Sequence, residues 1–481
     1  MSDVARASSS GGYFVRHLAI GSLLPVALCP VALGLPAVSG SAVRLKPGQD
    51  VAAVVGSSSP GTTFVFSPGI YRLQSIVPKD NDVFIGEGTV VLDGAKLLDM
   101  QPDGRLWSVM ATIAAGDPRH CGKDHPRCWI LNDLFVDDQL QIPVASLTEL
   151  GPGRWFRDDR SGKIYISTNP SGHRVEFGEA AAAFSGSAAG VRIDHLIVEK
   201  YASPPQHGAV GGTNGKAKGW TIQDSEVRWN HGAGMAVGSG SHVERCNIHH
   251  NGQLGLAGNG ADIEVRNNEF AFNNYAGFET GWDAGGAKFS VTNNLVLRSN
   301  YAHDNFGDGL WVDIDNTHAL YERNKVINNR GIGIHHEISY DAIIRNNLVK
   351  GNREGILVVL SPNVEVYGNF VEVPPQGVYG IRIATGSRGG GSYGTYAAHD
   401  DYVHDNIVTY LGPASRSGPS GPLVEGANIR FDSNEYHCPA GGDAHWIRGS
   451  ESLTLSGIAR MGMERHSTVK RNPPPETDPT Q

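Results

Sequence analysis

Between residues 225 and 436 the chain alternates apolar and polar positions in short blocks that recur along its length. β-Branched or aromatic residues stand at Val227, Ile248, Phe270, Val296, Val326, Val349, Val371, Val408 and Tyr436, at intervals of 21 to 37 residues. Two residues before them stand Ser225, Cys246, Asn268, Asn294, Asn324, Asn347, Asn369, Asn406 and Asn434, so seven of the nine are Asn. A second row, Asn230, Asn251, Asn273, Asn329 and Asn352, follows three residues after the marker. Asn tolerates left-handed backbone angles, and its amide both donates and accepts. Stacked at one corner of successive coils, such side chains form a hydrogen-bonded ladder. Cys246, standing in this row, reads as a buried corner residue rather than a nucleophile.

Each block also contains a glycine at the start of a strand: Gly234, Gly255, Gly277, Gly309, Gly333, Gly355 and Gly380. The residues one and three positions on are mostly apolar (Met235/Val237, Leu310/Val312, Ile356/Val358, Ile381/Ile383) and face the core, because strand side chains alternate. The second position after the glycine then faces outward, giving Ala236, Ala257, Glu279, Trp311, His335, Leu357 and Arg382. So does the fourth, giving Gly238, Asn259, Gly281, Asp313, Glu337, Val359 and Ala384. A repeat of about 22 residues with very short strands predicts one solenoid coil per repeat. Variable insertions at fixed places point to an all-β, single-stranded right-handed parallel β-helix. A left-handed hexapeptide helix would keep a stricter period, and the leucine pattern of leucine-rich repeats is missing.

Ahead of the repeats, residues 44–98 contain "KPG", "SPGIY" and "GEGTVVLDG". This segment resembles the N-terminal part of pectate-lyase-like β-helix proteins, which implies a short capping helix (Val51–Val55) before the first coils. Residues 105–180 break the period with strand-like pieces Trp129–Val136, Arg154–Phe156, Lys163–Ser167 and Arg174–Phe177 and a turn at Asp158–Lys163. They read as a small β-subdomain inserted in the solenoid. The expected organisation is a signal peptide over 1–42, a cap and first coils over 43–104, the insertion over 105–180, β-helix repeats over 181–465 and a disordered tail over 466–481.

Composition narrows the function. The 481 residues include 62 Gly and 26 Pro, with 40 basic against 49 acidic residues and a net charge of −9. That balance offers no basic face to displace counterions from nucleic acid. Residues 1–17 are polar and end in Arg16-His17; an apolar run, Leu18–Leu35, and small residues Ala37–Ala42 follow, the layout of a secretory signal. Pro25, Pro30 and Pro36 argue against a stable spanning helix, so the expected location is secreted or periplasmic, with no membrane partner after cleavage. Cys121 and Cys128 lie in one loop and can pair in an oxidising compartment. Zinc-type CxxC and HExxH spacings are absent, and no metal or cofactor is expected.

The outward columns carry the chemistry. Asp313 and Glu337 fall on neighbouring coils in register, about 4.8 Å apart at the backbone. Like charges directly opposite destabilise a sheet, and one carboxyl is pushed upward unless a cation intervenes. A separation of about 5–5.5 Å is what a retaining glycosidase uses, with one carboxylate as nucleophile and the other as acid/base. Trp311 offers a flat surface for a sugar ring, and His335 a hydrogen bond to a hydroxyl. Asp308, on the turn leading into the Asp313 strand, Glu279, one coil above, and Arg382, two coils below Glu337, are further substrate-binding candidates. The glycine-rich stretch Gly386–Gly394 reads as a mobile cover on the same side.

The stretch Gly307-Asp308-Gly309-Leu310-Trp311-Val312-Asp313, followed one repeat later by His335-His336-Glu337-Ile338-Ser339, resembles the catalytic region of β-helical retaining glycosidases, most of all the β-helix β-xylosidases. That resemblance implies a polysaccharide or oligosaccharide substrate, Asp313 as nucleophile and Glu337 as acid/base. The residues after each acid, Asp315-Asn316-Thr317-His318 and Ile338-Ser339-Tyr340, depart from the pattern. Two other readings use the same face. A polysaccharide lyase or C5-epimerase acting on a uronic-acid polymer would hold calcium between Glu279, Asp313 and Glu337, with Arg382 as base. A surface-binding solenoid would carry no catalysis.

Overall fold

The computed structural model describes residues 42–422, 424–439, 444–471 and 479–480. The expected signal peptide, apart from Ala42, and half of the expected tail lie outside the described residues. Three long, mainly parallel sheets share the chain, most coils giving one short strand to each. The first has 13 strands, from Val43–Leu45 to Arg430–Asp432; the second also has 13, from Gly69–Arg72 to Thr468–Lys470; the third has 12, from Gly212–Thr213 to Glu451–Leu453. This is a parallel β-helix. Inward side chains such as Leu310, Val312, Ile356, Val358, Ile381 and Ile383 merge into one continuous core. Among the described residues no helix is long and apolar enough to cross a membrane.

The Asn ladders form, with one change of register. In the second sheet Phe270 pairs with Ala302, and Ala302 with Val326, so Ala302 rather than Val296 fills the marker position of that coil. Val296 belongs to the first sheet, paired with Glu264 and Leu320. The ladder correspondingly runs from Asn268 through Asn300 to Asn324, each Nδ2 donating to the next Oδ1 at 3.1 Å. Asn294 is a turn residue with φ of 58°. The Asn293-Asn294 pair followed by a valine is a decoy, because a small Ala at 302 packs where a branched residue was expected. The second row gains Asn305, bonded between Asn273 at 2.9 Å and Asn329 at 2.8 Å.

A helix over Val51–Ser57 buries Val51 and Val55 and is capped by Asp50, whose Oδ1 accepts from Ala53 N at 3.0 Å. The interruption is an 8-stranded sheet that reaches back to Ala95–Leu97, earlier than residue 105, and ends at Val175–Gly178. It has its own core, with Leu134, Trp155, Ile164 and Phe177 at its centre. Cys121 and Cys128 form a disulfide in its long loop. At the other end the solenoid continues beyond residue 466: Thr468–Lys470 pairs with Glu435–His437. Ser467 takes the next ladder place, its Oγ accepting from Asn434 N at 2.8 Å, which a reading based on Asn alone passes over.

Candidate active site

The candidate residues lie on five adjacent strands of the third sheet: Gly285–Asn293, Asp308–Asp313, Ile332–Glu337, Glu354–Val359 and Tyr379–Ala384. Their register sets two outward columns, Lys288–Trp311–His335–Leu357–Arg382 and Ser290–Asp313–Glu337–Val359–Ala384. Asp313 and Glu337 are therefore direct cross-strand neighbours. The coil above differs from expectation. Gly286, not Gly277, stands in the glycine column, and a Cβ there would sit 2.4 Å from the Gly309 carbonyl, so the close stacking of strands admits only glycine. A loop over 274–284 precedes this strand, which displaces Glu279 and Gly281 from the columns and puts Lys288 and Ser290 in their places.

Lys288 is what the sequence reading missed. Its Nζ lies 2.8 Å from Asp283 Oδ1 and 2.9 Å from Asp313 Oδ2, and it donates to the Trp282 carbonyl at 2.8 Å. It also sits over the Trp311 ring, 3.5 Å from the centroid. On the other side of the indole, the His335 ring stacks at 5.1 Å with an interplanar angle of 8°. Both faces of Trp311 are thus occupied and the residue is 3% exposed, so the free sugar platform expected of it is not available. The signal for Lys288 was present: it stands two residues after Gly286, as Trp311 does after Gly309.

His335 connects the other acid to a buried partner. Its Nδ1 lies 2.9 Å from Asp308 Oδ2, and its Nε2 is 3.4 Å from Glu337 Oε2. Asp308 is not on a turn; it opens the strand, is buried, and accepts from Ile332 N at 2.7 Å through Oδ1. It orients His335 rather than facing solvent. The two acids of the pair are thus each backed by a basic group and a second carboxylate: Asp283–Lys288–Asp313 and Asp308–His335–Glu337. Glu337, with a side chain 25% exposed, is the more open of the pair. His336, one residue on, points into the core, where burial and the charge of His335 lower its pKa to about 3.

The remaining candidates are dispersed. Arg382 is held in two hydrogen bonds to Glu354, at 2.5 and 3.0 Å, and stacks on Tyr379. Burial pushes the Glu354 carboxyl up despite that partner. Glu279 is exposed on the 274–284 loop and lines a cleft of about 690 Å³ with Lys123, Phe306 and Arg330. A smaller cavity of about 230 Å³ lies between the insertion and the coils, against His231 and Tyr275. Neither of these includes Asp313 or Glu337. The calcium arrangement does not fit these positions, since Glu279 is off the sheet and an ammonium group already engages Asp313.

The glycine-rich stretch folds back as a hairpin, Ser387–Gly391 with Gly394–Ala397. Asp315 holds it: the carboxylate accepts from Ser392 N at 2.9 Å, Ser392 Oγ at 2.8 Å and Tyr396 Oη at 2.6 Å. Tyr340 Oη donates to the Gly394 carbonyl at 2.7 Å. The two stretches that depart from the glycosidase pattern, after Asp313 and after Glu337, are therefore the hairpin's attachment points.

The family profile described as "Right handed beta helix region" matches residues 209–371. No curated protein matches the chain in sequence. Among solved structures, "The complex structure of XylC with xylose" is 14% identical with a TM-score of 0.64, covering 89% of this chain and 83% of that one. The mannuronan C-5 epimerase AlgE4 A-module of Azotobacter vinelandii is 15% identical with a TM-score of 0.48, covering 88% and 93%. A polygalacturonase from Erwinia carotovora ssp. carotovora is 10% identical with a TM-score of 0.40, covering 87% and 98%. The chain has the right-handed parallel β-helix fold.

Proposed function

We propose that the chain is a retaining glycoside hydrolase acting on a polysaccharide or oligosaccharide. The observation that carries this reading is the in-register pair Asp313 and Glu337, each backed by its own basic group and buried carboxylate. Cross-strand neighbours stand about 4.8 Å apart at the backbone, which suits the about 5–5.5 Å carboxyl separation of retaining enzymes. Asp313, ion-paired to Lys288, attacks the anomeric carbon. Glu337, the more exposed, gives its proton to the departing glycosidic oxygen. The resulting glycosyl ester on Asp313 is then displaced by water, which loses a proton to Glu337. The product keeps the starting anomeric configuration.

Other features agree. XylC, similar in fold, has been seen with xylose, so β-xylosides belong in the first substrate panel. A disulfide such as Cys121–Cys128 persists in oxidising compartments, which favours action outside the cytoplasm. The deciding experiment is a product assay on aryl glycosides and plant or bacterial polysaccharides. Hydrolysis yields a new reducing end, and the first-formed anomer, followed by NMR, is expected to retain configuration. An unsaturated, ultraviolet-absorbing end would replace this reading with a lyase. Binding without turnover would leave a non-catalytic solenoid.

A further inference from the structure

We infer that Asp283 and Lys288 are positioning residues for Asp313, and that the disulfide loop of the insertion holds them in place. The functional part rests on the reading of Asp313 as nucleophile; the mechanical link does not. Lys288 has three donors, and three acceptors surround it: Asp283 Oδ1, Asp313 Oδ2 and the Trp282 carbonyl, all within 2.9 Å. Its side chain is 8% exposed and those of the two carboxylates 11% each. Water cannot substitute for a missing partner in such a site, so its geometry is set by the protein. Lys288 engages one oxygen of Asp313, and the other has no hydrogen-bond partner among the described residues.

Two of the three acceptors come from the 274–284 loop rather than from a strand, and the insertion fixes that loop. Gly122 N donates to the Gly277 carbonyl and Glu279 N to the His120 carbonyl, both at 2.9 Å. Cys121 pairs with Phe278 in an antiparallel bridge. The His120 ring stacks on Trp282 with 3.6 Å between centroids. From the solenoid side, the Gln206 amide donates to Asp283.

His120, Cys121 and Gly122 form one end of the segment closed by the Cys121–Cys128 bond. The other end is tied down by His231, whose Nε2 lies 2.8 Å from the Cys128 carbonyl and whose Nδ1 lies 3.0 Å from Asp133. Both partners are acceptors, so both ring nitrogens carry protons. A continuous path of contacts thus runs from the disulfide through Gly277–Asp283 and Lys288 to Asp313. Opening the disulfide releases the 277–283 segment, and Lys288 loses the two acceptors that set its direction.

The test compares oxidised protein, reduced protein and the Cys121→Ser/Cys128→Ser double variant. Hydrogen exchange over residues 277–288 should rise on reduction, while exchange over 342–373, in distant coils, stays the same. On an aryl glycoside kcat should fall about tenfold with KM nearly unchanged, since displaced reacting groups lose rate more than binding. Asp283→Ala should do likewise, and Asp283→Asn, which still accepts from Lys288, should recover most of the rate. His120→Ala keeps the disulfide and removes the ring stack, so it reports on the same link if the cysteine variant does not fold. Unchanged exchange over 277–288 in both reduced protein and His120→Ala would overturn the inference. Raised exchange in a protein whose oxidised form cleaves no glycoside would leave the link standing and remove the hydrolase reading. Normal kcat after reduction of an active enzyme would leave the hydrolase reading standing and overturn the positioning role of Asp283 and Lys288.

Discussion

Lys288 sets its ammonium 2.9 Å from the Asp313 carboxylate, on the strand directly above it, so the acidic pair Asp313–Glu337 is bounded by a cation on one side. Two carboxylates facing each other across a parallel sheet are unfavourable in isolation. Here the pair takes the second and third places of the column Ser290–Asp313–Glu337–Val359–Ala384, and the neighbouring column sets Lys288 and His335 beside it. The conflict in the sequence is resolved by residues one coil away.

Removing that cation should be costly. Lys288→Met leaves the Asp313 carboxylate without its cation and Asp283 with the Gln206 amide in place of one, and breaking a buried pair costs about 3–5 kcal/mol. Urea unfolding of the single variant and of Lys288→Met/Asp283→Asn should show a non-additive pair, with the double variant recovering part of the loss. Strict additivity would place the two residues in separate environments.

The roles of the pair are separable by chemical rescue. Asp313→Ala and Glu337→Ala should each lower kcat by about 10²-fold or more. With azide, Glu337→Ala should regain turnover and give a glycosyl azide of retained configuration, whereas Asp313→Ala should give the inverted one. Interchanged products would exchange the two assignments.

Stability should depend on His336 in mild acid. Its folded-state pKa is about 3, below the ordinary value of 6.5, because burial disfavours the charged ring. The unfolded chain therefore binds one more proton between those values. Stability from this residue is complete above pH 6.5 and is lost as pH falls toward 3, at up to about 1.4 kcal/mol per pH unit. His336→Met should flatten the fall in urea midpoint between pH 6 and 4 relative to the parent protein. An unaltered slope would mean the ring is charged in the core.

The ladder register predicts unequal effects at two asparagines. Asn324 is buried, donates to the Leu297 carbonyl and Asn347 Oδ1, and accepts from Asn300. Asn324→Ala should cost about 1–3 kcal/mol for each group left unsatisfied. Asn294→Gly, at an exposed residue whose left-handed backbone glycine accepts and whose side chain bonds Asp262, should stay within about 0.5 kcal/mol. Thermal unfolding of the two variants is sufficient to check this.

Asp315 should act on substrate access rather than on chemistry. Hydrogen bonds to a charged group are worth about 1.5–3 kcal/mol, and Asp315 receives three from the hairpin. Asp315→Ala should speed hydrogen exchange over 387–397 and raise KM with little change in kcat. A change confined to kcat would instead place the hairpin in the chemical step.

The sequence by itself determined the coil, the direction in which side chains point, and the adjacency of Asp313 and Glu337. Each of these follows from local periodicity: a period of two along a strand, one repeat per coil, and an Asn or Gly wherever the backbone turns or approaches closely. Only the tertiary structure decided what surrounds the pair. Lys288 reaches its column because the 274–284 loop adds residues before a strand, and local periodicity does not count residues inside a loop. Trp311 loses its free faces, Asp308 its solvent, and Arg382 its freedom to reach a substrate, since Glu354 engages it, through contacts made between coils. Such contacts depend on where separate repeats stack in space, and a repeat pattern fixes that stacking only where no insertion intervenes.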